Sequence, residues 1–111
     1  MSSAFLLSAR SLSQVPVEAA DLHVTALPVR IGRDPKNEFR LDHWWVARFH
    51  ARIVRVNGKL CVLDLGSPEG IHLPLPNGST RRLRRYEPAD LAEAGFQFLI
   101  GPIRVQIEPA R

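Results

Sequence analysis

HARIVRVNGKLCVLDL, residues 50–65, decides the fold. Two runs rich in Val, Ile and Leu flank Asn57-Gly58, the pair that suits a type I′ turn because both central residues need positive φ. The stretch predicts an antiparallel hairpin. Working outward, a second Asn-Gly, Asn77-Gly78, sits between IHLPLP (71–76) and STRRLRRY (79–86). FQFLI (96–100) and IRVQI (103–107) alternate across Gly101-Pro102. That alternation predicts a closing hairpin with Phe96, Phe98, Ile100, Ile103, Val105 and Ile107 on the buried face. AFLLSAR (4–10) and LPVRIGR (27–33) read as further strands, the second ended by the Asp34-Pro35 turn. SLSQVPVEAAD (11–21) reads as a polar connection. Only PADLAEAG (88–95) has the pattern of a helical turn, with Gly95 stopping it. Short apolar runs punctuated by Gly, Pro and Asn predict an all-β sandwich or barrel.

The chain of 111 residues, 45% apolar, is the size of one domain with a core of its own, so residues 1–111 are read as a single unit. No stretch approaches the ~20 apolar residues of a membrane span. SSAFLLSA near the start has no basic region before it and is not read as a signal peptide. The single Cys61 lies inside an apolar run and is expected to be a buried thiol in a reducing cytoplasm. A net charge of +4 nominally invites nucleic acid, but the excess is concentrated in Arg81 to Arg85, RRLRR, with no aromatic platform interleaved. His23, His43, His50 and His72 share no zinc-type spacing with Cys61, and no glycine-rich phosphate loop occurs. Neither catalysis, nor a metal, nor a cofactor is expected.

Four motifs in order are more specific: RIGRDPKNEFRLD (30–42), VARFHARI (46–53), DLGSPEG (64–70) and FLIG (98–101). Together they resemble the forkhead-associated (FHA) domain family, in register from about Leu27 to Ile107. The resemblance implies two twisted antiparallel sheets of about eleven strands, with binding loops gathered at one end. FHA domains are typically phosphothreonine readers, and the residues carry over one by one. Gly32 and Arg33 match the family's Gly-Arg, whose guanidinium reaches the phosphate. His50 matches the family histidine, a structural residue tying the recognition loops together. Arg48 falls at a position that is often basic. Ser67 and Gly70 match the turn serine and glycine.

Two positions depart from the family. Ala47 stands where a serine donates to the phosphate, and Glu69 where an asparagine holds the peptide backbone. Losing a hydrogen bond to a charged group costs about 1.5–3 kcal/mol. A carboxylate removes the amide donors and sets negative charge near a dianion. With Glu69 present, Arg33 is expected to pair with Glu69 or Asp64 rather than to keep binding an anion with Arg48 beside it, a reading that stays open, while Asp64 caps the turn of GSPEG. Adjacent Trp44 and Trp45 cannot both face one side of a sheet, so at least one is expected to lean outward, where tryptophan is enriched in binding hot spots.

The reading that results is a protein-interaction module with a degenerate phosphothreonine pocket, binding a partner protein or peptide, phosphorylated or not, through its loop end. Its candidate contacts are Arg33, Arg48, Ser67, Glu69, Trp44 and Trp45, framed by Gly32, His50 and Gly70. Divergent domains of this type occur in bacterial secretion machinery, which implies a cytoplasmic setting, here as a possible module of a larger membrane-associated protein. Two alternatives stay open: a working phosphothreonine reader using Arg33, Arg48 and Ser67, and a nucleic-acid or anionic-surface binder using Arg81 to Arg85.

Overall fold

The computed structural model describes residues 5–109. Eleven strands occur there in chain order. They are β1 Phe5–Ser11, β2 Leu22–Val24, β3 Val29–Gly32, β4 Phe39–Arg40, β5 Ala51–Val56 and β6 Lys59–Asp64. There follow β7 His72–Pro74, β8 Thr80–Arg82, β9 Ala89–Asp90, β10 Gln97–Ile100 and β11 Ile103–Pro109. One sheet has six strands in the order β2-β1-β11-β10-β7-β8, the other five in the order β4-β3-β5-β6-β9. All pairings are antiparallel except β3 with β4. The expected all-β sandwich of two sheets is what the chain forms.

Alternation places the core between the sheets. Val29, Ile31, Phe39, Ile53 and Val62 point inward from the five-stranded sheet, and Leu7, Leu73, Phe98, Ile100, Ile103 and Val105 from the other. Each fully buried side chain of this size contributes about 1.5–3 kcal/mol of transfer free energy. The β5–β6 hairpin runs from Ala51 opposite Asp64 to Val56 opposite Lys59, and Asn57 and Gly58 turn it at φ +50° and +79°. Its tight turn fixes the register that carries His50 to one end of the sandwich and Asp64 beside it.

Several expectations needed correction. Phe96 does not share the buried face of β10: it has φ +59° and is 43% exposed. Gly95 is also left-handed at φ +66°, capping a 3-10 turn at Leu91–Ala94, so two successive left-handed residues swing Phe96 outward before the strand begins. The strand read from Leu27 begins at Val29, and Ala4, the expected start of the first strand, lies outside the described residues. Within the supposed polar connection, Glu18 bridges to Asp42, and β2 follows directly after it. The RRLRR run does not present all its arginines together: Arg81 reaches Glu93 at 3.3 Å and lines one cavity with Arg84, Arg82 points to the other side of β8, Leu83 is buried, and Arg84 and Arg85 lie in an exposed loop.

Gly58 has open space where a Cβ would stand, so a substitution there meets only backbone strain. Gly58→Val should destabilise by ~1 kcal/mol or more, since a β-branched residue disfavours positive φ. Urea unfolding with an unchanged β-type far-UV spectrum is the expected outcome; an unaltered midpoint contradicts the turn.

Candidate functional site

Three loops meet at the end of the sandwich where β3, β6 and β10 finish: residues 33–38, 41–50 and 65–71. Backbone contact joins the first two. Arg33 N–H donates to Ala47 O at 3.0 Å and Asp34 N–H to Arg48 O at 3.1 Å. The Asn37 amide donates to both Asp34 O and Arg48 O at 2.8 Å. This approach needs Gly32, because a Cβ there would stand 2.2 Å from Arg48 O. A neighbour that is backbone cannot step aside, so the glycine is a geometric requirement.

His50 joins the second loop to the third. It is fully buried, with Nδ1 3.0 Å from Ala47 N and Nε2 2.8 Å from Gly70 O. A backbone N–H can only donate and a carbonyl only accept, so Nδ1 is the acceptor and Nε2 carries the proton. Burial pushes its pKa below the ordinary 6.5, against the opposing pull of the Gly70 carbonyl, Asp64 and Glu69. The third loop is organised by Asp64, as expected: its Oδ1 accepts from Gly66 N, Ser67 N and the Ser67 hydroxyl. Gly70 turns the loop at φ +72°, and the Arg82 guanidinium covers it, donating to Pro68 O at 3.3 Å.

On this frame the predicted contact residues divide. Ser67 is a correction: it is 2% exposed, its hydroxyl donates to Asp64 and accepts from Gly70 N at 3.0 Å, so it holds the loop and presents nothing to a ligand. Arg33 is a second correction. It pairs with neither Glu69 nor Asp64; its Nε donates to Val46 O at 3.1 Å, and among the described residues no carboxylate lies within 4.0 Å. Val46 O intercepts the side chain at its base and leaves the exposed Nη atoms free. Arg48, 71% exposed, bonds Asp34 Oδ2 at 2.7 Å. The Lys36 N–H and then this guanidinium hold Asp34 below the usual carboxylate range. Ala47 and Glu69 are half-buried, and the Ala47 N–H is already given to His50.

The two tryptophans separate, one half-buried and one exposed, in a turn of the second loop. Trp45 is half-buried against Gly101, with ring atoms 3.5 Å from where a Cβ would stand. Trp44 is 69% exposed, held between Trp45 at 4.7 Å and the buried His43 ring at 5.9 Å. His43 Nδ1 accepts from Trp45 N–H and fixes this pair. Sequence reasoning missed Phe49, exposed beside Arg48 with its ring 6.0 Å from the guanidinium carbon. Phe49 lies in the loop before β5, where no periodic pattern marks an exposed ring. The loop end thus presents one free guanidinium, one shared with Asp34, a carboxylate, and two exposed aromatic rings.

The family model for the FHA domain matches residues 29–101. Comparison with curated proteins returns no match. Among solved structures, the FHA domain of the CT664 protein from Chlamydia trachomatis superposes with TM-score 0.68 at 20% identity, covering 98% of this chain and all of that one. The first FHA domain of Mycobacterium tuberculosis Rv1747 gives 0.67 at 18%, with both chains covered completely. Mycobacterium tuberculosis EmbR, solved with a low-affinity phosphopeptide, gives 0.65 at 22% over 96% of this chain. The chain spans only 24% of EmbR.

The His50 arrangement makes a pH prediction. An imidazole that binds its proton less readily folded than unfolded lets the unfolded state carry more protons below 6.5, so stability is full above that pH and falls as pH drops through it. The slope is bounded by about 1.4 kcal/mol per pH unit. Glu38, held at about 2 chiefly by its bond to Arg30, titrates well below this window. NMR of the His50 ring should find it neutral, with the proton on Nε2, at pH values where a free histidine is already substantially protonated; a ring that titrates near 6.5 in the folded chain contradicts the frame.

Proposed function

The chain belongs to the FHA domain family, whose members are phosphopeptide-binding interaction modules, and on that premise we propose that it engages a partner protein through its loop end with weak or no dependence on phosphothreonine. The observation that carries this reading is the exposed Trp44, 69% accessible, with Phe49 on the same loop. Rings of this size on a rigid backbone are the usual energetic centre of protein interfaces. Around them the means to hold a phosphate are reduced. Position 47 has no hydroxyl, the Ser67 hydroxyl is consumed inside its own loop, and Glu69 adds negative charge where the family places an amide. The setting we propose is cytoplasmic, within a larger assembly such as a bacterial secretion system; it rests on the resemblance alone.

One observation favours a second reading, a phosphothreonine reader: the free Nη atoms of Arg33, with no carboxylate within reach among the described residues. The two readings differ in affinity. Wild type should bind a generic phosphothreonine peptide with a dissociation constant of ~100 μM or worse. Ala47→Ser with Glu69→Asn should recover ~2–4 kcal/mol, because a hydroxyl and an amide return and one negative charge leaves. Arg33→Ala in that background should abolish the gain. Calorimetric titration of the peptide and its unphosphorylated twin into the three proteins decides between the readings. Low-micromolar, phosphate-selective binding by wild type would establish the reader instead.

The aromatic contact has its own test. Trp44→Ala removes a ring that buries little in the free chain, so the melting temperature should hardly move while partner affinity falls by ~2 kcal/mol or more. Unfolding of the variant with residual binding intact would assign Trp44 to the core.

A further inference from the structure

The outer face of the six-stranded sheet carries a second feature, which meets the loop end only at Arg82, the residue that donates to Pro68 O. Arg10 in β1, Arg104 in β11, Leu99 in β10, His72 in β7 and Arg82 in β8 stand directly opposite one another in sequence of strands. They form one rung across five strands, about 19 Å long at ~4.8 Å per strand. Their chain neighbours Ile103, Val105, Phe98, Ile100, Ile71 and Leu73 are buried, so the rung faces away from the core. Like charges directly opposite on a sheet are destabilising, and Arg10 opposes Arg104. Among the described residues, no carboxylate comes within 4.0 Å of any of the three arginines. Arg104 Nε is buried without an acceptor. Among the described residues, the only carboxylate on the outward strand positions of this sheet is Glu108, opposite Leu6, two rungs away and about 13 Å along the strand. The other sheet handles the same problem differently. Arg30 opposes Arg52 there, but Glu38 closes on Arg30 through both its carboxylate oxygens.

The geometry points to a second docking surface, with an acidic amphipathic helix of a partner protein laid across the strands on this rung. A helix repeats every 5.4 Å, close to the spacing between strands, so four turns cover about 22 Å against the rung's 19 Å. Carboxylates on the outer turns meet Arg10 and Arg104 at one end and His72 and Arg82 at the other. An apolar side chain on the middle turn meets Leu99. Such a partner supplies the charge that this face lacks and an acceptor for Arg104 Nε. Single-stranded nucleic acid suits the face less, because no Phe, Tyr or Trp occupies an outward strand position on which bases could stack, and Leu99 interrupts the charge.

The test uses the full chain and a labelled helical peptide of about 20 residues, alanine-rich, with Glu at i, i+4, i+11 and i+14 and Leu at i+7. Fluorescence anisotropy at low salt should find it bound, with the Gln-for-Glu twin about tenfold weaker. Arg10→Gln with Arg104→Gln should weaken the Glu peptide about five- to tenfold. Arg81→Gln, whose guanidinium faces Glu93 off the rung, should change it less than about twofold. The charge-reversed protein, Arg10→Glu with Arg104→Glu, should prefer a Lys version of the peptide, which tests the contact even if single losses are small. Equal binding of the Glu and Gln peptides overturns the proposal. So does an Arg81→Gln effect as large as that on the rung, or tighter binding of an oligothymidylate of about 20 nucleotides than of the Glu peptide.

Discussion

The loop end depends on one buried imidazole. His50 accepts from Ala47 N–H on one side and donates to Gly70 O on the other, and so ties the second and third loops to the end of β5. Both bonds require the neutral Nε2–H form, since a protonated ring has no lone pair for Ala47. The first loop reaches the same point through the Arg48 carbonyl, which Gly32 admits and which the Asp34 N–H and the Asn37 side-chain amide share. Three segments distant in sequence are thereby held chiefly by buried groups, with Arg33 Nε on Val46 O and Arg48 on Asp34 adding side-chain ties between the first two loops.

This separation of frame from surface explains how a binding chemistry can change while the fold stays. Asn37, His50, Asp64 and Ser67 direct their polar atoms into the loops themselves, and all four are buried. Altering any of them leaves a buried donor or acceptor without its partner, at about 1–3 kcal/mol each. Positions 47 and 69 carry no such obligation through their side chains, so Ala and Glu can stand there without disturbing the loops. What the surface then offers is Arg33, Arg48, Glu69, Trp44 and Phe49, the aromatic and mixed-charge set on which the proposed partner-binding role rests.

Much of this was legible in the sequence where a local rule coincided with the tertiary demand. Asn57-Gly58 specified its turn, and the Gly-Arg, the His and the Asp-x-x-Ser turn fell where the loops need them. The misses have physical causes. β4 and β9 are two residues long, too short for any period, and are strands only because a neighbour supplies the hydrogen bonds. Phe96 kept the alternating pattern of FQFLI but lost its face to two left-handed residues, which no apolar pattern records. Charge complementarity suggested that Arg33 would find Glu69, whereas a backbone carbonyl lay nearer than any carboxylate. Ser67 shows the same limit from the other side: its residue type permits a phosphate contact, and only the fold reveals that its hydroxyl is already used. The basic rung was invisible because its members come from five strands between Arg10 and Arg104, while the conspicuous RRLRR was divided by strand alternation.

The central proposal is that recognition at the loop end depends weakly or not at all on phosphate. Capture of partners by the immobilised chain, from lysate with and without phosphatase treatment, tests it most directly. The account predicts that the same principal protein is retained in both samples and released by Trp44→Ala. A partner lost on phosphatase treatment, and equally lost with Arg33→Ala, would contradict it.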